Sequence, residues 1–368
     1  MIVGQTILSL SPYPAAPPVH GGMTRIHYLN KGLAEDNRLI FVFRNDPDFA
    51  PPFFECTQVP SSPHRPMQIF NPVLLMRLLH IVKSESVDIV MSGHMWCGLH
   101  GALVKLITGT HFILDNQNVE HLRFKRLRSP LWPIVWALEW FICHAADRVF
   151  CVSTRDREHI VSRLHVPASK LTVVPNGVDT TRCRNTQVDR DSVRNSVGVQ
   201  EGECMALFFG MLDYQPNVEA IRIITEEIAP RLQRIQPRIK IVVAGPGGDA
   251  DLISSLNSHP DQISFAGFVE DILAYIRSAD VVIAPLMTGS GTRIKIIESI
   301  GCGRRVVSTS LGAEGLDRSF LGDLLAVRDD WQAFVQAMVE AVEADTMTPS
   351  KTFAQAHDWQ NIVRRMCV

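Results

Sequence analysis

Residues Pro285–Gly303 read PLMTGSGTRIKIIESIGCG and follow the apolar run Val281–Ala284. Small, pliable residues stand at Gly289, Ser290 and Gly291, two cations at Arg293 and Lys295, and a carboxylate at Glu298. The run VVIA is short, β-branched and bounded by turn residues, so it reads as a buried strand. In an open parallel sheet, ligands sit beyond the carboxyl ends of strands. Thr288–Gly291 lies at that end, and the helix starting near Gly291 offers unpaired N–H groups and the positive end of its dipole. Glycine lets a phosphate approach the backbone, and Arg293 and Lys295 add the charge a diphosphate needs. Glu298 comes seven residues after Gly291, on nearly the same helix face about 10 Å further along. A carboxylate there can take two hydroxyls of a ribose. The same residues also fit a tight turn, a solvated basic face and an i,i+3 Lys295–Glu298 pair. Spacing alone leaves both readings open.

Outward from this strand, apolar runs alternate with helical patterns. The second half predicts strands at Met205–Phe209, Ile239–Ala244, Ile263–Phe265, Val281–Ala284 and Arg305–Ser308. Its helices are expected at Val218–Ile235, Asp249–Leu256, Asp271–Arg277, Thr292–Cys302 and Trp331–Glu343. The first half predicts strands at Thr6–Leu10, Leu39–Phe43, Asp88–Met91, His111–Leu114 and Val149–Val152. Its helices are expected at Met23–Asp36, Val73–Ser84, Trp96–Ile107, Leu131–Ala146 and Arg155–Leu164. Repeated βα units imply mostly parallel sheets covered on both faces. Pro175-Asn176-Gly177 signals a turn, and the polar stretch Val178–Gly202 reads as a linker. An amphipathic segment, Phe353–Met366, closes the pattern. Chains beyond roughly 250–300 residues usually split into domains, so 368 residues predict two, at 1–178 and 179–352.

Apolar residues make up 46% and charged residues 20% of the chain, the balance of a soluble globular protein. A net charge of −2 argues against a dedicated nucleic-acid binder. Eight cysteines, with no CxxC pair and no zinc-type spacing, predict reduced, packed thiols and a cytoplasmic setting. The start MIVGQTILSLSPYP reads as a first strand rather than a signal peptide. No apolar run approaches the roughly 18 residues of a membrane span. The full GxGxxG pattern is missing from the first βα turn, SPYPAAPPVHGG, which disfavours a dinucleotide fold.

APLMTGSGTRIKIIESIGCGRRVVSTSLGAEGL resembles the donor-binding segment of the retaining glycosyltransferases of family 4. FFGMLDYQPNVEAI, VVAGPGG and ISFAGFVEDILAYIRSADVVIAPL extend the resemblance upstream. DNQNVEHLR, VSTRDREHI and VVPNGVD carry it into the first half, and PYPAAPPVHGGMTR is similar to the family's glycine loop. The resemblance spans nearly the whole chain, and its more specific motifs lie in the C-terminal half. It implies an α/β protein of GT-B fold, two Rossmann-like doubly wound domains facing a central cleft. The first domain would hold the acceptor and the second a nucleotide-sugar, with the last helix, 353–368, packing back on the first. It implies transfer of a sugar from a UDP- or GDP-sugar to an acceptor hydroxyl with retained configuration. No metal or other cofactor is expected. The acceptor is a glycan, a lipid-linked saccharide or a small molecule, in polysaccharide or glycoconjugate biosynthesis.

Carried over residue by residue, Glu298 matches the second acid of the family's Glu-x7-Glu motif, which binds the ribose. Gly291 and Thr292 match the backbone at the diphosphate, and Gly267 and Phe268 the turn at the base. Gly21 and Gly22 match the loop over the phosphates, and Gly210 and Gly245 join the donor-binding set. Three departures stand out. Ser290 occupies the place of the first acid, Met211 and Pro216 replace a basic pair, and Gln117 replaces the histidine that meets the donor sugar. Arg293 and Lys295 are expected to restore the lost charge, so Arg293, Lys295 and Gln117 are the candidate catalytic residues. An epimerase of the same fold and a non-catalytic nucleotide-sugar-binding protein are the rival readings. Ser290 and Gln117 favour the second rival.

His121–Phe141, HLRFKRLRSPLWPIVWALEWF, mixes four Arg and Lys residues with aromatics. It reads either as a cationic loop running into a core helix or as a peripheral patch for the inner membrane face. Glu139 interrupts its apolar face and favours the first. His94, His100, Asp115, Glu120 and Glu314 are further candidates near strand ends, each also explained as an ordinary structural residue.

Overall fold

Strands buried on both faces need apolar side chains on both, and β-branched runs supply them. The computed structural model describes residues 2–14, 16–46, 50, 54–61, 69–344 and 348–366. Its first sheet comprises β1 (Thr6–Leu10), β2 (Arg38–Arg44), β3 (Thr57–Ser61), β4 (Ile89–Ser92), β5 (His111–Asn116), β6 (Arg148–Cys151) and β7 (Leu171–Val173). The second comprises β8 (Cys204–Phe209), β9 (Ile239–Ala244), β10 (Ile263–Gly267), β11 (Val281–Ala284), β12 (Arg305–Ser308) and β13 (Leu325–Val327). Spatial orders are β3-β2-β1-β4-β5-β6-β7 and β10-β9-β8-β11-β12-β13. Every pairing among these strands is parallel. Each sheet reverses its winding once, between β1 and β4 and between β8 and β11, which makes both of Rossmann type.

β11 shows how the sequence builds the second sheet. Val281 and Ile283 face a core containing Phe334 and Ile221. Val282 and Ala284 face the opposite core, with Ile296 and Phe353. Sequence missed β3, β7 and β13, and each has a local reason. β3 carries Pro60 at a sheet edge, where the missing N–H is tolerated, and β7 and β13 are three residues long.

The predicted helix Val218–Ile235 is interrupted. Gln215–Ile223 leads into a π turn, Ile224–Ile228, and then Ala229–Ile235. Pro230 lacks the N–H that would continue the i→i−4 ladder, and the wider turn absorbs the gap.

The chain divides into two units, residues 1–176 with 359–368, and 177–358. The expected boundary at 178 thus moves by two residues. The expected linker Val178–Gly202 is corrected: it belongs to the second unit and contains two short helices, Thr180–Asn185 and Arg190–Ser196, each capped by an aspartate. Arg190 and Arg194 bind Asp280, which ties the second helix to the end of the sheet. The expected single segment Phe353–Met366 is two helices, Lys351–His357 and Trp359–Met366. Phe353 belongs to the second unit's core. Only the latter helix joins the first unit, where Trp359 stacks on Tyr28 with ring centres 5.5 Å apart. Val363 lies where a side chain at Gly32 would clash, its nearest atom 2.7 Å from such a Cβ.

Inside the first unit, Arg25 is the largest fully buried side chain. Its guanidinium takes both carboxylate oxygens of Asp115 at 2.7–3.1 Å and also donates to Pro175 O and Asn176 Oδ1. Sequence reading singled out Asp115 as a site candidate. The structure gives it this ion pair, because a carboxylate so deep requires a partner.

Candidate functional site

The second unit's switch point lies beyond the carboxyl ends of β8 and β11. Gly210, Gly245 and Gly267 stand side by side at the ends of β8, β9 and β10. Gly245 N–H donates to Gly267 O at 2.7 Å and Gly210 N–H to Ala244 O at 3.0 Å. Gly245 has φ +150°, and a Cβ there would lie 1.9 Å from Gly210 O. Only glycine fits, so the strand ends present bare backbone. Phe268 follows on the rim and is 61% exposed.

The loop after β11 closes the other side. Its helix is Ile294–Gly301, and it starts later than the expected Gly291 or Thr292. Gly291 has φ +76°, outside the helical region, and Arg293 at the N-cap is extended at φ −85°, ψ 102°. No side chain caps this end, and the first N–H groups of any helix lack partners within it. Arg293 folds back on its own loop, donating to Ser290 O, to Gly291 O at 3.1 Å and to Thr288 O at 3.3 Å. Thr288 is held in turn by Glu219, 2.5 Å from its hydroxyl. Arg293 therefore shapes the loop. Ser290 Oγ is buried and has no hydrogen-bond partner among the described residues.

Lys295 is set differently. Its ammonium donates to Asn217 Oδ1 at 3.0 Å and lies over the Phe208 ring, 4.5 Å from its centre, with Phe209 at 5.7 Å. Asn217 is fixed from below by donating to Met211 O at 2.7 Å. Burial, with help from nearby Arg293, lowers the Lys295 pKa to about 7. The Lys295–Glu298 ion pair of the alternative sequence reading does not form. The Glu298 carboxylate makes no hydrogen bond or ion pair among the described residues, and burial raises its pKa to about 7. The site therefore holds a cation and a carboxylate, neither in an ion pair among the described residues.

These shifts have opposite consequences for stability. Glu298 binds a proton more tightly folded than unfolded, so stability falls as pH rises from its ordinary 4.5 to about 7. Lys295 binds its proton less tightly folded, so stability rises as pH goes from about 7 to its ordinary 10.5. We expect the unliganded protein to show a stability minimum near pH 7 from these two groups. Thermal unfolding from pH 5 to 9 measures it, and Lys295→Met should remove the rising limb while Glu298→Gln removes the falling one.

Sequence reading missed Asn217, Phe208 and Glu219. The available signal was a polar Asn in the first turn of a helix just past a strand, directly after Pro216.

The first unit gathers the other candidates. Gly21 and Gly22 open the helix Gly21–Asp36, capped by His20, whose Nδ1 accepts from Met23 N–H at 3.4 Å. A Cβ on Gly22 would lie 3.0 Å from the Tyr13 ring and 3.1 Å from Gln117 Oε1. Gln117 is buried and donates to Gly93 O at 2.5 Å and to Gly22 O at 3.5 Å. It thus joins the glycine turn to the end of β4.

His94, His100 and Glu120 have structural duties. His94 accepts from Trp96 N–H and caps the helix Met95–Thr108. His100 accepts from Asn71 N–H at 3.0 Å, and Glu120 binds Arg123 through two nitrogens. Glu139 does not interrupt an exposed apolar face, contrary to expectation. It is fully buried and accepts from Asn116, from the Glu120 and His121 N–H groups and from the His121 ring.

Among the described residues, no three His, Cys, Asp or Glu side chains form a metal-binding group, and no helix is long and apolar enough to cross a membrane. The seven described cysteines are free, and Cys183 and Cys302 touch at 3.0 Å. Cys367 lies outside the described residues.

Residues 19–182 match the model described as Glycosyltransferase Family 4, and residues 203–344 that described as Glycosyl transferases group 1. An uncharacterized glycosyltransferase of Methanocaldococcus jannaschii is 26% identical over 241 residues, 64% of this chain and 60% of that protein. The Escherichia coli UDP-Gal:alpha-D-GlcNAc-diphosphoundecaprenol alpha-1,3-galactosyltransferase is 23% identical over 281 residues, 73% of this chain and 70% of that protein. The crystal structure of Anabaena HepE in complex with UDP and glucose matches with a TM-score of 0.75 at 16% identity, covering 99% of this chain and 98% of that one. Two family models in tandem, over two Rossmann-like sheets with glycine-lined strand ends, lead to one assignment: the chain belongs to the group 1 glycosyltransferases, with the GT-B fold.

Proposed function

We propose that the protein transfers a sugar from a UDP- or GDP-sugar to an acceptor hydroxyl with retention of configuration. The observation that carries this is Lys295, a partly buried cation beside the bare backbone of Gly210, its pKa lowered to about 7 by burial. A diphosphate supplies the negative charge that Lys295 lacks, and the uncapped end of Ile294–Gly301 supplies N–H donors. Gly291 and Thr292 then take the diphosphate backbone contacts, Glu298 the ribose hydroxyls, and the Gly267–Phe268 turn the base. In the reaction the bond from the anomeric carbon to the diphosphate oxygen breaks and a bond to the acceptor oxygen forms on the same face. The acceptor proton passes to the departing diphosphate. The protein contributes orientation and stabilisation of the charge that develops on the leaving group.

HepE, solved with UDP and glucose, supports a UDP-sugar, and the E. coli relative, named for a diphosphoundecaprenol-linked substrate, supports a glycoconjugate acceptor. Arg293 enters as a loop clamp whose charge lies beside the diphosphate. Gln117, with its amide nitrogen already donating to two carbonyls, offers only its oxygen to a sugar hydroxyl. That commitment favours one second reading, a protein that binds the nucleotide-sugar without transferring from it.

A thermal-shift screen with UDP, GDP and ADP tests the donor site. A ligand at 100 times its dissociation constant stabilises by about 2.7 kcal/mol, which is roughly 5–10 °C for a unit of this size. UDP or GDP is expected to give that shift, and no response to any of the three would sink the reading. With sugar nucleotides, release of free nucleotide marks transfer, conversion without release marks an epimerase, and binding without turnover marks the second reading.

A further inference from the structure

The helix Trp132–Ala145 and the turn before it carry an apolar surface that the donor reading leaves unused. Leu127, Leu131, Trp132, Ile134 and Trp140 are exposed, Ile134 at 67% and Trp140 at 40%. Pro133, Ala137 and Trp140, at i, i+4 and i+7, form an outward stripe, while Val135, Glu139 and Ile142 face inward. Lys125, Arg126 and Arg128 are exposed in the same stretch. The Lys125 ammonium lies over the Trp132 ring, 5.2 Å from its centre, so charge and indole share one patch.

The sign of this surface is uniform. Between His121 and Ala145 the single carboxylate is Glu139, and it is buried at the start of the neighbouring helix. What remains outside is cationic and apolar, with two indoles at its margin. Tryptophan settles at headgroup depth, aliphatic side chains enter the acyl boundary, and Lys and Arg are drawn to anionic headgroups. We propose that this face of the first unit docks the protein on an anionic lipid surface. It does not depend on which nucleotide the second unit binds.

The test is co-sedimentation of the full chain, without nucleotide, with vesicles of phosphatidylcholine alone and of phosphatidylcholine mixed with phosphatidylglycerol. The protein is expected to pellet with the mixed vesicles, to remain in solution with the neutral ones, and to be released by salt. The Lys125→Gln/Arg128→Gln pair should weaken partitioning about thirtyfold, at about fivefold per cation. Ile134→Ser should weaken it about tenfold. All three side chains are exposed, and circular dichroism verifies that the variants fold. Equal recovery on both vesicle types overturns the proposal, as does a charge variant that binds like the parent. A chain that ignores both vesicles but self-associates through Ile134 assigns the face to a second copy, and overturns it too.

Discussion

Lys295→Met is expected to slow sugar transfer a hundred- to a thousandfold and to leave the unliganded protein close to its parent in stability. The rate loss follows from removing a fixed charge aimed at the leaving diphosphate, an effect worth about 3–4 kcal/mol in comparable sites. The small stability effect follows from two opposing changes. Met removes a charge that burial already disfavours, as the lowered Lys295 pKa records. It also takes the donor from Asn217 Oδ1, which costs about 1–3 kcal/mol where no water replaces it. The stabilisation that UDP or GDP gives should shrink along with the rate. Measuring turnover and nucleotide-dependent melting on the same variant separates charge from packing. A variant that transfers at the parental rate removes Lys295 from the mechanism.

Arg25→Leu should cost the first unit about 3–5 kcal/mol, the usual penalty for leaving one member of a buried ion pair alone. Asp115 is 0% exposed and Arg25 1%, so neither water nor a neighbouring side chain replaces the lost bonds. Asn176 and the Pro175 carbonyl lose a donor as well. The double variant Arg25→Leu/Asp115→Leu should recover much of the loss, because it removes the stranded carboxylate too. Urea unfolding of the parent and both variants reads this directly. If Arg25→Leu unfolds at the parental midpoint, the pair is not holding the unit.

Sequence disclosed the second sheet well because its strands are continuous apolar runs. β9, β11 and β12 lie where their side chains predict. It disclosed the donor loop for a related reason, since glycines and charges at a strand end are a local pattern. What it could not disclose is non-local. The ammonium of Lys295 meets Asn217, 78 residues away, and two aromatics of β8. The start of its helix shifted because the left-handed Gly291 lies outside any helix, which composition alone does not reveal. Glu139 read as a flaw in an apolar face because its inward bonds to Asn116 and His121 depend on the way the chain turns at β5. Arg25 gave no signal at all, as its partners lie 90 and 151 residues away.

The helix Trp359–Met366, which stacks Trp359 on Tyr28 and seats Val363 at Gly32, bears on how the protein is born. A ribosome delivers all of residues 177–358 before this piece emerges. Until then the nascent first unit waits with the ring of Tyr28 and the groove at Gly32 bare, so its folding finishes last although its synthesis began first.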